Sequence, residues 1–302
     1  MDHYLASLTT ENSNEATQHI DRCSTQKMLE LINNEDQKVA ESVRREIPNI
    51  AKAVDACYDA FINGGRLFYF GAGTSGRIGV LDASECPPTF STPPSLVQAY
   101  IAGGDVALRT AVEGSEDDAD AGEAAVKNAG VTEKDVVVGI SASGSAAYVL
   151  SAVKTAKSLG AVTVAVVTNK NTRLAAACDI AIEPVVGPEV IAGSTRLKSG
   201  TAQKLVLNMI STGSMIKMGK VYHNLMVDIC PSNKKLVERS KRIIMEVAEV
   251  SYDQAAEALQ KYENNVKLAI VGLLDGMSVE QAKQALDREY GNISSILQKD
   301  AI

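Results

Sequence analysis

The stretch Arg66 to Gly79, RLFYFGAGTSGRIG, limits what this chain can fold into more than any other. Leu67-Phe68-Tyr69-Phe70 is a short, aromatic-rich apolar run of the kind that forms a strand covered on both faces in a parallel sheet. Gly71, Gly73 and Gly76 then allow the backbone to bend and approach a ligand, and Thr74 and Ser75 are placed to cap a helix that Arg77-Ile78-Gly79-Val80-Leu81 begins. A helix starting there directs unsatisfied N–H groups and the positive end of its dipole at whatever lies above the strand. The expectation is an anion site.

From Arg66 onward short apolar runs alternate with helical ones. The expected strands are Leu67–Phe70, Val97–Ile101, Val136–Ile140, Thr163–Val167 and Ile180–Ile182, separated by helical runs at Ala119–Ala129, Ala146–Leu159 and Thr172–Ala177. That alternation implies right-handed crossovers and an α/β, doubly wound, mostly parallel five-stranded sheet, with ligands at the carboxyl ends of its strands. Before it, Leu8 to Asn14 reads as a solvated, irregular arm, followed by helical periodicity after Ser24-Thr25 and again after Pro48. After it, a long helix is expected over Leu197 to Lys217, a new helix opens at Asn233, and the last fifty residues read as three short helices at Tyr252–Asn264, Lys267–Leu274 and Ser278–Tyr290. The last of these opens with the capping-box pattern Ser278-Val279-Glu280-Gln281.

Composition removes several function classes. A formal charge of -7 and a pI near 5.2 argue against a nucleic-acid or anionic-membrane grip, both of which need clustered basic residues. The five cysteines, Cys23, Cys57, Cys86, Cys178 and Cys230, are far apart and show no paired spacing, which points away from zinc sites and a disulfide framework. MDHYLASLTTENSN lacks a basic start followed by an apolar run, and no long uninterrupted apolar run follows, so a cytoplasmic protein is expected.

The turn GAGTSG fits G-x-G-x-x-G, yet a dinucleotide site wants an acidic residue at the end of the second strand. Here Asp105 lies beyond Gly103-Gly104, about 30 positions on. The third strand instead runs into Ser141-Ala142-Ser143-Gly144-Ser145 and then a helix. Each serine alone is an ordinary turn residue, but two neighbouring strand-to-helix turns carrying Thr74, Ser75, Ser141, Ser143 and Ser145 surround a phosphate with neutral donors. In the third loop, Gly193-Ser194-Thr195 looks like the cap of the long helix. There Ser194, Thr195, Arg196 and Lys198 are candidates for sugar or phosphate contact, against the plainer reading of a capped helix. Two carboxylates, Glu85 before Pro87-Pro88 and Glu116 in an acidic loop, fit general acid and base work on a sugar. The prolines are expected to stop the helix begun at Thr74. If that helix is straight, Glu85 lies about 15 Å from Ser75, so either it is broken or Glu85 serves a neighbouring subunit.

Taken together, GAGTSGRIGVLDASECPPTF, IAGGD with AVEGSEDD, GISASGS and GPEVIAGSTRLKSGTAQKLVLNMISTGSMIKMGKVYHNLMVD resemble the N-acetylmuramic acid 6-phosphate etherases, bacterial enzymes built on a sugar isomerase (SIS) domain. The resemblance runs from Leu8-Thr9-Thr10-Glu11 to the C-terminal helices, although Asn12-Ser13-Asn14 stands where the family more often has Arg-Asn-Pro. It implies an αβα sandwich at 57–230, a helical arm at 1–56 and a small bundle of ubiquitin-associated type at 231–302. It further implies release of D-lactate from the sugar phosphate to leave N-acetylglucosamine 6-phosphate, without metal or redox cofactor, in a cytoplasmic homodimer. Glu85 matches the family's proton donor and Glu116 its second catalytic acid. Two alternatives remain: a non-catalytic sugar-phosphate-binding regulator like the glucokinase regulatory protein, which shares these motifs but typically carries two SIS units, and a phosphosugar isomerase, which shares the domain but is expected to lack the paired ECPP and EGSED segments.

Overall fold

The computed structural model describes residues 8–229, 231 and 234–297. Residues 1–7, Cys230, 232, 298–302 and Asn233, the expected start of a helix, lie outside the described residues. By its internal contacts the chain forms two units: one comprises the chain through Glu85 together with Pro94–Ser211, the other Cys86–Pro93 together with the chain from Thr212.

The first unit opens with the short turn Thr9–Glu11 and two helices, α1 (Thr25–Arg44) and α2 (Ile47–Ile62). Ser24 caps α1 by accepting the Lys27 N–H, and Pro48 sits in the first turn of α2, where its missing N–H costs nothing. There follow β1 (Leu67–Gly71), α3 (Gly73–Phe90), β2 (Val97–Ile101), α4 (Ala119–Asn128), β3 (Val136–Ile140), α5 (Ala147–Ser158), β4 (Val162–Val166), α6 (Arg173–Ala177), β5 (Ile180–Ile182) and α7 (Lys198–Lys217).

The five strands form one sheet in the order β2-β1-β3-β4-β5, every pair parallel. The chain steps outward from β1 to β2, then crosses back to β3 on the other side of β1. The switch point of the doubly wound sheet therefore lies between the carboxyl ends of β1 and β3. Gly71 and Ile140 are register partners there, so the two hydroxyl-rich turns leave adjacent strands at the same level.

Helices cover both faces. Phe68, Phe70 and Val137 pack with Val126 of α4 and Val149 and Val153 of α5. On the opposite face Gly79 brings α3 so close that a Cβ at that position would lie 3.1 Å from Tyr69 Cβ. The Tyr69 hydroxyl donates to Asp82 of α3 at 2.8 Å, and Asp82 also accepts from Asn208 at 2.6 Å and Ser211 at 3.0 Å, which binds α3 to α7 through one buried carboxylate.

The expected stop at Pro87-Pro88 does not occur. Both prolines are inside α3 and remove two donors from its last turns, but their fixed φ suits a helix, and the Ser91 N–H closes the end on the Pro87 carbonyl at 2.9 Å.

The second unit carries the hairpin β6 (Val221–Tyr222) and β7 (Leu225–Met226), then α8 (Lys234–Ala248), α9 (Tyr252–Lys261), α10 (Val266–Asp275), α11 (Val279–Arg288) and α12 (Ile293–Leu297). The three expected short helices are α9, α10 and α11, to which the sequence reading did not add α12. Capping boxes start α9 at Ser251 and α11 at Ser278. Ile243, Ile244, Leu259, Tyr262, Ile270 and Leu286 form a core separate from that of the sheet.

Candidate active site

At the switch point the backbone of α3 sits against the end of β1. A Cβ on Gly71 would lie 2.6 Å from the Gly76 nitrogen, and one on Gly76 would lie 2.8 Å from the Gly71 oxygen, so this turn needs glycine on both sides. The helix begins at Gly73, which places Thr74 and Ser75 within its first turn rather than at its cap. Their N–H groups belong to the set that no helix satisfies internally. Ser75 is buried, and its hydroxyl donates to Gln203 Oε1 at 3.0 Å.

The adjacent turn is tightly folded. Ser141 Oγ accepts the Gly144 N–H at 3.1 Å, and the hydroxyls of Ser143 and Ser145 lie 2.7 Å apart. None of the three caps α5, whose N-cap Ala146 has no side-chain bond to give. The turn is held from behind by the Thr168 hydroxyl and the Asn169 amide, which donate to the Ala142 carbonyl at 3.1 and 3.0 Å.

The third loop departs from expectation. The cap of α7 is the fully buried Glu189, whose two carboxylate oxygens accept the Lys198 and Ser199 N–H groups at 2.9 Å each, rather than Gly193-Ser194-Thr195. A charge buried at a helix N-terminus is stabilised by the dipole and by those donors together. Ser194 and Thr195 lie half-buried in the loop before it. The Lys198 ammonium is turned inward, 1 % exposed, and pairs with Glu35 of α1 at 2.7 Å. Burial alone would raise the Glu35 carboxyl, but hydrogen bonds from Lys198, Lys38 and Asn14 hold it down at about 2.

The Thr9–Glu11 turn is no solvated arm. Thr10 has no exposed surface; its hydroxyl accepts from Asn169 at 3.1 Å, while Asn169 Oδ1 accepts from the Thr9 N–H at 2.8 Å and hydroxyl at 2.7 Å. The Gly193 N–H in turn donates to the Thr10 carbonyl at 3.3 Å. One asparagine thus ties the start of the chain to the serine turn, and Glu11 lies beside Gly193.

Glu116 sits exposed in the short turn Ser115–Asp117, launched by Gly114 in the left-handed region at φ 72°. It lines a cavity of about 140 Å³ with Gly73 and Arg77 of α3. Arg77 is anchored by its Nε–H on the Leu108 carbonyl at 3.2 Å, so a positive charge stands beside the α3 N-terminus. Glu85 is exposed on the same α3, which runs unbroken from Gly73, and its Cα is therefore about 15 Å along the axis from that of Ser75.

The structure thus brings Thr74 and Ser75 to the switch point beside the Ser141–Ser145 turn and sets Glu116 across a cavity from α3, while Glu85 stands apart and Lys198 is engaged elsewhere. Arg77, Asn169, Glu189 and Gln203 escaped the sequence reading. For Gln203 no signal existed: α7 also carries Thr201, Lys204, Asn208, Ser211, Thr212 and Ser214, among which one more polar residue does not stand out. Among the described residues no cluster of His, Cys, Asp and Glu is arranged to hold a metal ion, and no helix is long and apolar enough to cross a membrane.

Comparison with known proteins bears on this site. Residues 49–157 match the family model of the glucokinase regulatory protein N-terminal SIS domain, and residues 118–212 that of the SIS domain. Among solved structures the phosphoheptose isomerase of Neisseria gonorrhoeae superposes with a TM-score of 0.50 at 20% identity, over 63% of this chain and 97% of that one, a likeness of fold. Relatives similar along their whole length are the N-acetylmuramic acid 6-phosphate etherases of Pasteurella multocida (strain Pm70), 52% identical over 98% of this chain and 99% of that protein, and of Clostridium beijerinckii, 50% identical over 98% and 97%. That of Clostridioides difficile (strain 630) is 52% identical over 97% and 96%. With its sheet, its two hydroxyl-bearing turns and its sequence matched from end to end, the chain belongs to the N-acetylmuramic acid 6-phosphate etherase family.

Proposed function

We propose that this protein cleaves the D-lactyl ether of N-acetylmuramic acid 6-phosphate, giving N-acetylglucosamine 6-phosphate and D-lactate. The observation that carries this reading is the joining of end-to-end similarity to the etherases with Glu116 and Arg77 sharing one cavity at the α3 N-terminus. The 6-phosphate is held by the first-turn N–H groups of α3, by Thr74 and Ser75, and by Ser141, Ser143 and Ser145 on the adjacent strand end, with Ser194 and Thr195 toward the sugar.

In the open-chain aldehyde the carbonyl acidifies the C2 proton. A base removes it, the C3–O bond breaks, and an acid protonates the departing lactyl oxygen, leaving an α,β-unsaturated aldehyde. Water then adds its hydroxyl at C3 and a proton at C2. Glu85 is the proton donor and Glu116 the group at C2. Because α3 is unbroken, Glu85 cannot reach the ligand of its own turn; it completes the site of a second copy, and the working unit is a homodimer. A cytoplasmic enzyme of amino-sugar catabolism fits this substrate.

The test is incubation with N-acetylmuramic acid 6-phosphate and measurement of free D-lactate. Absence of lactate at high enzyme concentration, with sugar-phosphate binding intact, would favour a regulator; interconversion of aldose and ketose phosphates would favour an isomerase.

A further inference from the structure

Gln203 has a buried amide nitrogen without a hydrogen-bond partner, directly behind the first turn of α3. The residue is 1% exposed, and its Oε1 takes the Ser75 proton. Its placement is set by α7, which Glu189 begins and which packs on α3 at van der Waals distance beside Gly200, where a Cβ would lie 3.4 Å from Thr74 Cγ2.

With the amide in this orientation Ser75 gives its single proton to Gln203 and can only accept from a ligand. A phosphate monoester dianion has nothing to donate. A half-turn of the amide about its last torsion reverses the bond: Nε2 donates to Ser75 Oγ, the partnerless donor is satisfied, and the Ser75 proton is released toward a phosphate oxygen. The carbonyl then occupies the former place of the nitrogen, and an unpaired buried C=O is tolerated more readily than an unpaired N–H.

We propose that Gln203 is a positioning residue that, by turning its amide, switches Ser75 from acceptor to donor toward the substrate phosphate; this rests on the reading of the Gly71–Gly76 turn as the phosphate site. A neutral amide suits the task because it presents a donor and an acceptor in exchangeable places, as a carboxylate or an alkyl group cannot.

The experiment compares Ser75→Ala, Gln203→Met, Gln203→Glu and the double variant Ser75→Ala/Gln203→Met. Calorimetric binding of N-acetylglucosamine 6-phosphate is measured for each, with KM and kcat for D-lactate release and thermal melting as a check on folding. Each of the two single changes to Ala or Met is expected to weaken binding and raise KM by about tenfold, the scale of one hydrogen bond to a charged group. The double variant should be no worse than either, and kcat should change far less than KM. Additive losses would make Gln203 merely structural and overturn the proposal. Gln203→Glu keeps the shape but only accepts while ionised, so its binding should be poor at high pH and recover as the pH falls. A pH profile parallel to wild type would overturn the proposal even if Gln203→Met fails to fold. If Ser75→Ala leaves binding unchanged, the phosphate reading of the turn falls and the inference with it; if Ser75→Ala weakens binding and Gln203→Met does not, the inference alone falls.

Discussion

Glu116 owes its place to Gly114, whose φ of 72° starts the turn that presents it. No atom would meet a Cβ there, so the cost of a side chain is that of the backbone conformation alone, about 1 kcal/mol. Gly114→Ala is therefore expected to lower the melting temperature slightly while reducing kcat much more than that loss accounts for, as the turn relaxes and carries Glu116 away from Arg77. Urea unfolding beside D-lactate kinetics separates the two. For the acids themselves, Glu85→Gln and Glu116→Gln should keep binding of N-acetylglucosamine 6-phosphate and each lose roughly a hundredfold or more in kcat, the usual contribution of a general acid or base. Full turnover in either variant would remove that residue from its role.

At the scale of elements, α1 and α7 are joined by Glu35 and Lys198. The Glu35 carboxyl is held at about 2, below its ordinary 4.5, so the stability it contributes is fully present above pH 4.5 and is lost as pH falls from there toward 2. Wild type should lose stability across that window, whereas Glu35→Gln should show a flatter profile in acid denaturation followed by circular dichroism. Lys198→Met leaves the buried carboxylate with the mostly exposed Lys38 as its charged partner, beside the neutral Asn14, and should cost about 3 kcal/mol at neutral pH, measured by urea unfolding. The same ion pair shows where the sequence was legible and where it was not. β3 stands where its apolar run places it, because a buried parallel strand writes its identity in a few consecutive residues, and the partly buried edge strands β2 and β5 also keep their expected bounds. The glycines of the turn after β1 were equally plain, since its close backbone approach needs them, whereas Thr74 and Ser75 lie inside the helix they were expected to cap and no serine of the second turn caps α5. Lys198 was not: a lysine in the first turn of a helix beside a hydroxyl-rich loop reads as a phosphate contact, and its partner Glu35 lies 163 residues away. Glu189 likewise replaced a nearer and more familiar cap with a carboxylate from the preceding loop, and Pro87-Pro88 mimicked a helix stop while sitting in an existing last turn. Contacts set by tertiary packing leave no periodicity to read.

For the whole molecule, an unbroken α3 makes a definite claim about assembly. If Glu85 of one copy completes the site of another, Glu85→Gln and Glu116→Gln proteins each lose nearly all turnover for different reasons and in different halves of the composite site, since Glu116 shares its cavity with the α3 N-terminus of its own copy. Mixing them with subunit exchange should restore about a quarter of wild-type activity, since half the dimers in a two-fold arrangement carry both lesions in one site and leave the other intact. No recovery, with exchange verified by mass spectrometry, would mean that each copy supplies both groups to itself.

The bond between Thr9 and Asn169 joins residues 160 positions apart. During synthesis, at ribosomal speeds of 5–20 residues per second, the first residues that brace the serine turn wait roughly ten to thirty seconds for the asparagine that receives them. The serine turn can therefore acquire this brace only after β4 has been made, past the midpoint of translation, and a nascent chain interrupted before that point carries the Ser141–Ser145 turn without its support.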